Sequence, residues 1–378
     1  MKKVIKILVV MTFSHPIIAQ SWIDSLDAHG REVYMPASKY KWDWGQGTFL
    51  NALIHLHQTK PEAEKEKYIE YIKTAMDATY SIANGKHPNA VASGHGMAFL
   101  ARMTKDKKYE QKAINIYNDF LKTPRSQDGG VSHRTETVEL WDDTVYMLSM
   151  FLLEMYRLTG DEKYIADFTQ QVKIHSYHLA NKTSGLWLHG WDADNIDYDD
   201  KCSKVGWANK TTRQSANYWG RANGWVAMAL ADALSTIPKT SIHWKFLKKE
   251  FISLMEKLPA LQNKTTGHWY QLLIFPNDAD NFQESSCTAM FSYAMLKGME
   301  MDILNRKNYQ PVVDLAYNGL KKQSLEKVEE KPYLIPSRIC GGTCIGDKDY
   351  YYRRSITTGT GFGYGSFIMF GLEYEKGK

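Results

Sequence analysis

The sequence predicts an all-α fold: a ring of six helical hairpins closed into an (α/α)6 barrel. Three observations predict it. Apolar residues recur at helical spacing along most of the chain, nearly all round in some segments and as one stripe in others. Short polar turns repeat between these segments. Met103-Thr-Lys-Asp-Lys-Lys-Tyr109 returns as Leu158-Thr-Gly-Asp-Glu-Lys-Tyr164, and Gln58-Thr-Lys-Pro61 leading to Lys67-Tyr68 is a looser copy. No strand-rich block or Pro/Gly/Ser linker divides the chain. The two or three domains that 378 residues would suggest by length alone therefore give way to one.

The elements follow in order. Met1-Lys2-Lys3 leads into an apolar run from Val4 to Phe13, which breaks at Ser14-His15-Pro16 and ends near Ala19-Gln20. This is the pattern of a secretory signal peptide over residues 1–20, too short to span a bilayer, with residues 21–378 as the mature, periplasmic or secreted domain. Inner helices, apolar nearly all round, are expected at 47–57, 94–102, 143–158, 224–234, 286–299 and 363–374. Outer, striped helices are expected at 62–83, 108–121, 164–179, 243–258 and 311–323, and 22–33 supplies the sixth by closing the ring from the N-terminus.

Composition narrows the function. The formal charge is +5, but Lys2, Lys3 and Lys6 lie in the leader; without them 44 basic residues face 42 acidic ones, a net of +2. Nothing there favours a nucleic-acid partner. No later stretch has the roughly 18 uninterrupted apolar residues of a membrane span. Aromatic residues reach 13%, with 11 Trp and 23 Tyr, a surplus suited to stacking on the flat faces of sugars or bases. Cysteines are few: Cys202, Cys287, Cys340 and Cys344. Cys340 and Cys344 could close a small disulfide loop in an oxidising compartment, although the spacing alone does not establish it.

In such a ring the loops before the inner helices converge at one end, and those loops hold the distinctive residues. Lys41-Trp-Asp-Trp-Gly-Gln-Gly47 precedes the first inner helix, and residues 89–96, with His95, the second. Gly130-Val-Ser-His133 and Leu140-Trp-Asp-Asp-Thr144 precede the third, Trp187-Leu-His-Gly-Trp-Asp192 and Tyr218-Trp-Gly-Arg-Ala-Asn-Gly-Trp225 the fourth. Tryptophan faces stack on rings, arginine clamps a carboxylate through two parallel hydrogen bonds, and a carboxyl group moves a proton. Together they describe a site for an anionic carbohydrate.

Asp142-Asp143 is the leading carboxylate pair, although adjacent acids at a helix start also serve as caps. His189 reads either as a contact to a sugar oxygen or as a satisfied structural histidine. Arg221 reads as a clamp or as the partner of a loop acid, and Trp219 and Trp225 as site or core. No His/Asp/Cys set shows ligand spacing, so neither a metal nor another cofactor is expected. Asn181, Asn209 and Asn263 begin N-K-T triplets, read as turn chemistry; two of them open the repeat Asn181-Lys-Thr-Ser-Gly-Leu-Trp187 and Asn263-Lys-Thr-Thr-Gly-His-Trp269.

Three motifs in fixed order, Trp141-Asp-Asp-Thr-Val-Tyr-Met147, Gly185-Leu-Trp-Leu-His-Gly-Trp-Asp192 and Trp219-Gly-Arg-Ala-Asn-Gly-Trp225, resemble glycoside hydrolase family 105, the unsaturated uronyl hydrolases. The late segments 284–290 and 361–373 share the resemblance. It implies an (α/α)6 barrel acting on lyase-generated oligosaccharides that carry a 4-deoxy-4,5-unsaturated uronic acid at the non-reducing end. It implies Asp143, not Asp142, as the catalytic residue, and places His133, His189, Arg221 and Trp225 against the substrate. Trp42 and Trp44 resemble the aromatic residues of the family's first loop, and His95, Trp141 and Trp191 complete the expected binding set.

One departure stands out. Related enzymes often carry a second acid near the start of the second inner helix, but residues 84–96 contain no Asp or Glu, leaving Asn89, Ser93 or His95 as replacements. The sequence looks closest to the unsaturated β-glucuronyl hydrolases of ulvan-degrading bacteria. Unsaturated galacturonyl-rhamnose from pectin is the alternative substrate within the family. An (α/α)6 sugar epimerase and a non-catalytic glycan-binding toroid are the alternatives outside it.

Overall fold

Burial divides the helices into two sets. The computed structural model describes residues 21–196, 198–199, 202–328 and 333–377; the expected leader, 1–20, lies outside the described residues. Along the chain run α1 (Trp22–His29), α2 (Trp44–Thr59), α3 (Glu62–Thr79), the single turn α4 (Pro88–Val91), α5 (His95–Thr104), α6 (Lys107–Phe120), α7 (Asp143–Thr159) and α8 (Lys163–Leu179). There follow α9 (Gly220–Thr236), α10 (Ile242–Met255), the short α11 (Leu258–Leu261), α12 (Ser285–Glu300), α13 (Arg306–Gln323), the short α14 (Lys348–Tyr352) and α15 (Gly361–Lys376). Every residue of α7 from Thr144 to Met155 is buried, whereas α6 buries only the stripe Tyr109, Ala113, Ile116, Tyr117 and Phe120. An all-round apolar helix must be enclosed on every side, and a striped one on one side only.

The contacts close a ring. The inner helices pack in the order α2–α5–α7–α9–α12–α15, and α15 returns to α2. At that closure Gly365 lies against α2, where a Cβ would stand 2.7 Å from the Thr48 carbonyl oxygen, so the approach requires glycine. Outside the ring, α3, α6, α8, α10 and α13 back α2, α5, α7, α9 and α12, and α1 reaches across to back α15. This is the (α/α)6 toroid.

Boundaries differ where local chemistry overrides periodicity. The first outer helix stops at His29 and continues as one π turn, Gly30–Tyr34. The helix expected to start at Pro311 starts instead at Arg306, because Asn305 caps it by accepting from Lys307 N at 2.9 Å. Trp44, expected in a loop, begins α2.

Four two-stranded ribbons, which periodicity did not show, brace the loops: β1 (Glu139–Trp141) with β2 (Gly190–Asp192), β3 (Trp269–Tyr270) with β4 (Gln283–Glu284), β5 (Leu325–Lys327) with β6 (Leu334–Pro336), and β7 (Ile339–Cys340) with β8 (Ile356–Thr357). The disulfide also differs from expectation. Cys344 pairs with Cys202, 142 residues away, while Cys340 stays a buried free thiol whose Sγ lies 3.3 Å from Thr343 Oγ1. The bond thus ties two distant loops and does not close a local one. Among the described residues no helix is long and apolar enough to cross a membrane.

Candidate active site

All six inner helices begin at the same end of the ring, so their positive N-terminal ends and preceding loops surround one mouth. A cavity of about 310 Å³ opens there. Its walls come from the first turn of α2 (Trp44), the turn before α5 (His87, Asn89), the loop into β1 (His133, Arg134) and the start of α7 (Trp141, Asp143, Met147). The start of α9 adds Trp219 and Arg221, and the disulfide-tied loops add Cys202 and residues 342–344.

Asp143 is the only carboxylate among these lining residues, and its side chain is 14% exposed. The β1–β2 ribbon sets its surroundings. Trp141 pairs with Gly190, and Asp142 N donates to His189 O at 3.2 Å, which seats His189 behind Asp143. His189 Nε2 stands 3.1 Å from Asp143 Oδ2. Its Nδ1 lies 2.6 Å from the Tyr351 hydroxyl. Burial raises the Tyr351 phenol well above its ordinary range, so that group keeps its proton and donates, which leaves the Nε2 proton facing Asp143. Burial opposes ionisation of Asp143, yet the facing His189, with His133 and Arg221 beyond it, holds the carboxyl below the usual range.

Its neighbour behaves oppositely. Asp142 is 0% exposed, and neither carboxyl oxygen makes a well-aligned hydrogen bond among the described residues, the Asp143 side chain and the backbone N–H groups of Asp142 and Asp143 being its nearest polar neighbours. Burial and the adjacent Asp143 charge push Asp142 well above the ordinary carboxylate range. The fold brings a donor atom each of Asp142, Asp143 and His189 within 4.8 Å of one another, a grouping invisible to ligand-spacing rules because it joins two chain segments.

His133 stacks on Trp141, with centroids 4.5 Å apart and planes 5° apart, and shares Nδ1 with Thr144 Oγ1 at 2.9 Å. Burial pushes its imidazole down to about 3, so it is neutral. Arg221 is 1% exposed and held between Trp219 and Phe362, with centroid distances of 4.4 and 4.5 Å. Its Nη1 donates to Cys340 O, its Nη2 to Gly341 O at 2.7 Å, and Glu284 stands 3.7 Å off. One donor of each terminal nitrogen is thus taken by a backbone carbonyl, which fixes the Arg221 charge in the cavity wall.

The other expected contacts stand outside the lining. Trp42 donates Nε1 to Asn84 O at 3.0 Å. His95 is 1% exposed and shares Nδ1 with Ala92 O at 2.6 Å. Trp225 is fully buried against Tyr146, and Trp191 lies between His178 and Arg213, at 3.7 and 4.7 Å. Of the three replacements for the family's second acid, Asn89 lines the cavity, and Ser93 is tied to Tyr40 and to Asp43 O. His87, Arg134 and Thr343 line it without having been singled out; Arg134 directly follows His133, and that adjacency was the available signal.

The sequence profile of Glycosyl Hydrolase Family 88 matches residues 18–378. The chain belongs to glycosyl hydrolase family 88. Within this family 88 chain, similarity to the unsaturated rhamnogalacturonyl hydrolase YesR of Bacillus subtilis runs at 27% identity over 355 residues, 90% of this chain and 91% of that one. An unsaturated 3S-rhamnoglycuronyl hydrolase of Alteromonas sp. is 25% identical over 74% of this chain and 67% of its own length. Among solved structures, a glycoside hydrolase of family 105 from C. acetobutylicum superposes with a TM-score of 0.82 at 24% identity, covering 94% of this chain and all of that one. The unsaturated glucuronyl hydrolase of Bacillus sp. GL1 superposes at 0.66 with 15% identity, covering 94% of each chain. The fold is that of the family 105 structure, and membership of family 88 makes the protein a glycoside hydrolase.

Proposed function

We propose that this family 88 enzyme removes a 4-deoxy-4,5-unsaturated uronic acid from the non-reducing end of oligosaccharides released by polysaccharide lyases. The observation that carries the reading is Asp143, the only carboxylate among the described residues that line an aromatic-walled cavity at the mouth of the ring. Ordinary glycosidases flank the scissile bond with two carboxyl groups. A single pocket carboxylate suits a substrate whose own bonding makes one carbon basic. In the unsaturated ring the ring oxygen pushes electron density through C5 onto C4. Asp143 delivers a proton to C4, and the positive charge left at C5 is shared with the ring oxygen. Water adds at C5 and gives its proton to the Asp143 carboxylate. The hemiketal opens, C1 becomes a hemiacetal bearing the aglycone, and its collapse releases the next sugar with a free hydroxyl. One water is consumed overall.

The substrate carboxylate needs a positive wall. Arg221 contributes fixed charge, and Arg134, lining the same cavity, is the arginine we assign to direct contact. Trp44, stacked on Phe362 with centroids 4.8 Å apart, and Trp141 offer ring faces.

We favour unsaturated glucuronyl oligosaccharides, on the appearance of the motifs. Similarity to YesR along most of the chain favours the rhamnogalacturonyl reading instead. Elimination leaves C4 and C5 trigonal, so glucuronic and galacturonic acids yield the same terminal ring. Discrimination then falls on the anomeric linkage and the next sugar, at the rim of the cavity. Assaying unsaturated glucuronyl-rhamnose and galacturonyl-rhamnose oligosaccharides side by side decides between them; turnover of neither overturns the reading. We also place the protein outside the cytoplasm, a placement supported by the leader pattern and by the Cys202–Cys344 disulfide.

A further inference from the structure

The reaction proposed above needs a proton on Asp143, yet Asp143 faces His189 at 3.1 Å and is held in its ionised form. The proton must be stored within reach. The adjacent carboxyl is enclosed: Asp142 is 0% exposed, its oxygens make no well-aligned hydrogen bond, its nearest polar neighbours are the Asp143 side chain and the backbone N–H groups of Asp142 and Asp143, and it lies in the group drawn within 4.8 Å around Asp143 and His189. A carboxylate left there would be a buried, unpaired charge beside a like charge, which folding does not tolerate. A neutral carboxyl carries the one hydrogen that two neighbouring acids can share.

We propose that Asp142 is a positioning residue that stores the proton Asp143 delivers, so that the two carboxyl groups work as one pair. This inference rests on the hydration reading above. In the resting pair one O–H bond is present. As the C4–H bond forms, that O–H bond breaks and the pair becomes doubly ionised, beside His189 and the fixed charge of Arg221. Water then forms the C5–O bond and returns one proton, so the pair ends as it began. The other titratable or charged groups facing the pair are His133 from the loop before β1, His189 from the residue before β2, Arg221 from α9 and Tyr351 from α14. His133 is neutral and the Tyr351 phenol keeps its proton, so neither supplies the missing hydrogen at neutral pH.

The test is the pH dependence of kcat/KM for the wild type and Asp142→Asn, which keeps size and polarity but cannot store a proton. The variant leaves Asp143 alone under His189. Its alkaline limb should move toward acid by about one pH unit or more, with about ten-fold lower activity near pH 7.5 and recovery toward the wild type near pH 5. An alkaline limb in the same place as the wild type overturns the proposal, since a purely structural loss lowers the rate at every pH.

A second measurement needs no substrate: the infrared spectrum of the wild type near pH 8, where Asp232, pushed up to about 6, is ionised. The carbonyl stretch of a neutral carboxylic acid should persist there, and should vanish in whichever of Asp142→Asn and Asp142→Ala folds. Absence of the band overturns the proposal. Absence of turnover with the band present overturns the functional reading instead.

Discussion

A carboxyl group at position 143 acquires its chemistry from its neighbours. His189 fixes its charge, and Tyr351 fixes the tautomer of His189 through the 2.6 Å contact to Nδ1. Tyr351→Phe should therefore lower kcat about ten-fold with little change in KM, as loss of the outer partner of a working histidine commonly does. An unchanged kcat would show that His189 holds its tautomer without help. At this scale the sequence revealed residue types better than roles. Asp143, His133, Trp44, Trp141 and Arg221 all line the cavity. His95, Trp191 and Trp225 sit in equally suggestive loops but are buried outside the cavity lining, because a motif reports that a side chain lies near the mouth and not which way it points. Arg221 shows the same limit. Its two terminal nitrogens are claimed by carbonyls of residues 340 and 341, more than a hundred positions away. No local pattern encodes that.

At the scale of elements, the repeats seen in the sequence are one turn built three times. Asn181, Asn209 and Asn263 each accept two backbone N–H bonds through Oδ1, at 2.9 to 3.0 Å, from the second and third residues that follow. In each copy the fifth residue has positive φ: Gly185 at 68°, Arg213 at 60° and Gly267 at 79°. Arg213 bears that conformation while stacking on Trp191 and donating to Ala193 O at 2.9 Å. Gly185 has no such latitude, because a Cβ would lie 2.1 Å from the Ser253 carbonyl oxygen. Gly185→Ala should cost at least about 2 kcal/mol, combining left-handed strain with displaced backbone. Chemical denaturation measures this, and a loss below about 0.5 kcal/mol would contradict it.

The long-range disulfide is an element of the same kind. Cys202 and Cys344 both line the cavity, and closing a 142-residue separation stabilises by up to about 5 kcal/mol on the chain-entropy account. Cys202→Ser should lower Tm and also raise KM, since the wall it ties carries Thr343. A lower Tm with unchanged KM would mean that the tie only holds the fold. The local Cys340–Cys344 spacing pointed to the wrong partner because pairing follows space and not sequence distance.

For the whole molecule, the ring was legible because inner and outer helices differ in periodicity over many residues, and the recurring turns marked their ends. The ribbons were not legible, since two- and three-residue strands have no period to read. Enclosing a ring also buries titratable groups. His95, His175 and His268 are pushed down to about 4 and His133 to about 3, in each case by burial first. A histidine whose folded value lies below its unfolded value near 6.5 supports the fold above that pH and withdraws support as pH falls toward the folded value. Asp232 works in the opposite sense. Burial raises it to about 6 against a hydroxyl contact from Tyr293 at 2.6 Å, so its contribution is present at low pH and lost as pH rises through about 6. Asp142, raised by burial as well, acts in the same sense as Asp232, and the more numerous lowered histidines outweigh the two acids. Tm should fall by roughly 5 °C or more between pH 7 and pH 5. A flat or rising Tm would contradict the neutral histidines.

The central claim is that one pocket carboxylate, Asp143, hydrates the double bond of an unsaturated uronic acid. The most direct measurement is the ultraviolet absorbance of the conjugated enol-carboxylate when purified protein meets lyase-generated oligosaccharides. The wild type should erase that absorbance, and folded Asp143→Asn should do so about 10²–10⁴ times more slowly. Persistence of the absorbance with the wild type on both uronyl substrates, or undiminished loss with Asp143→Asn, would contradict the claim.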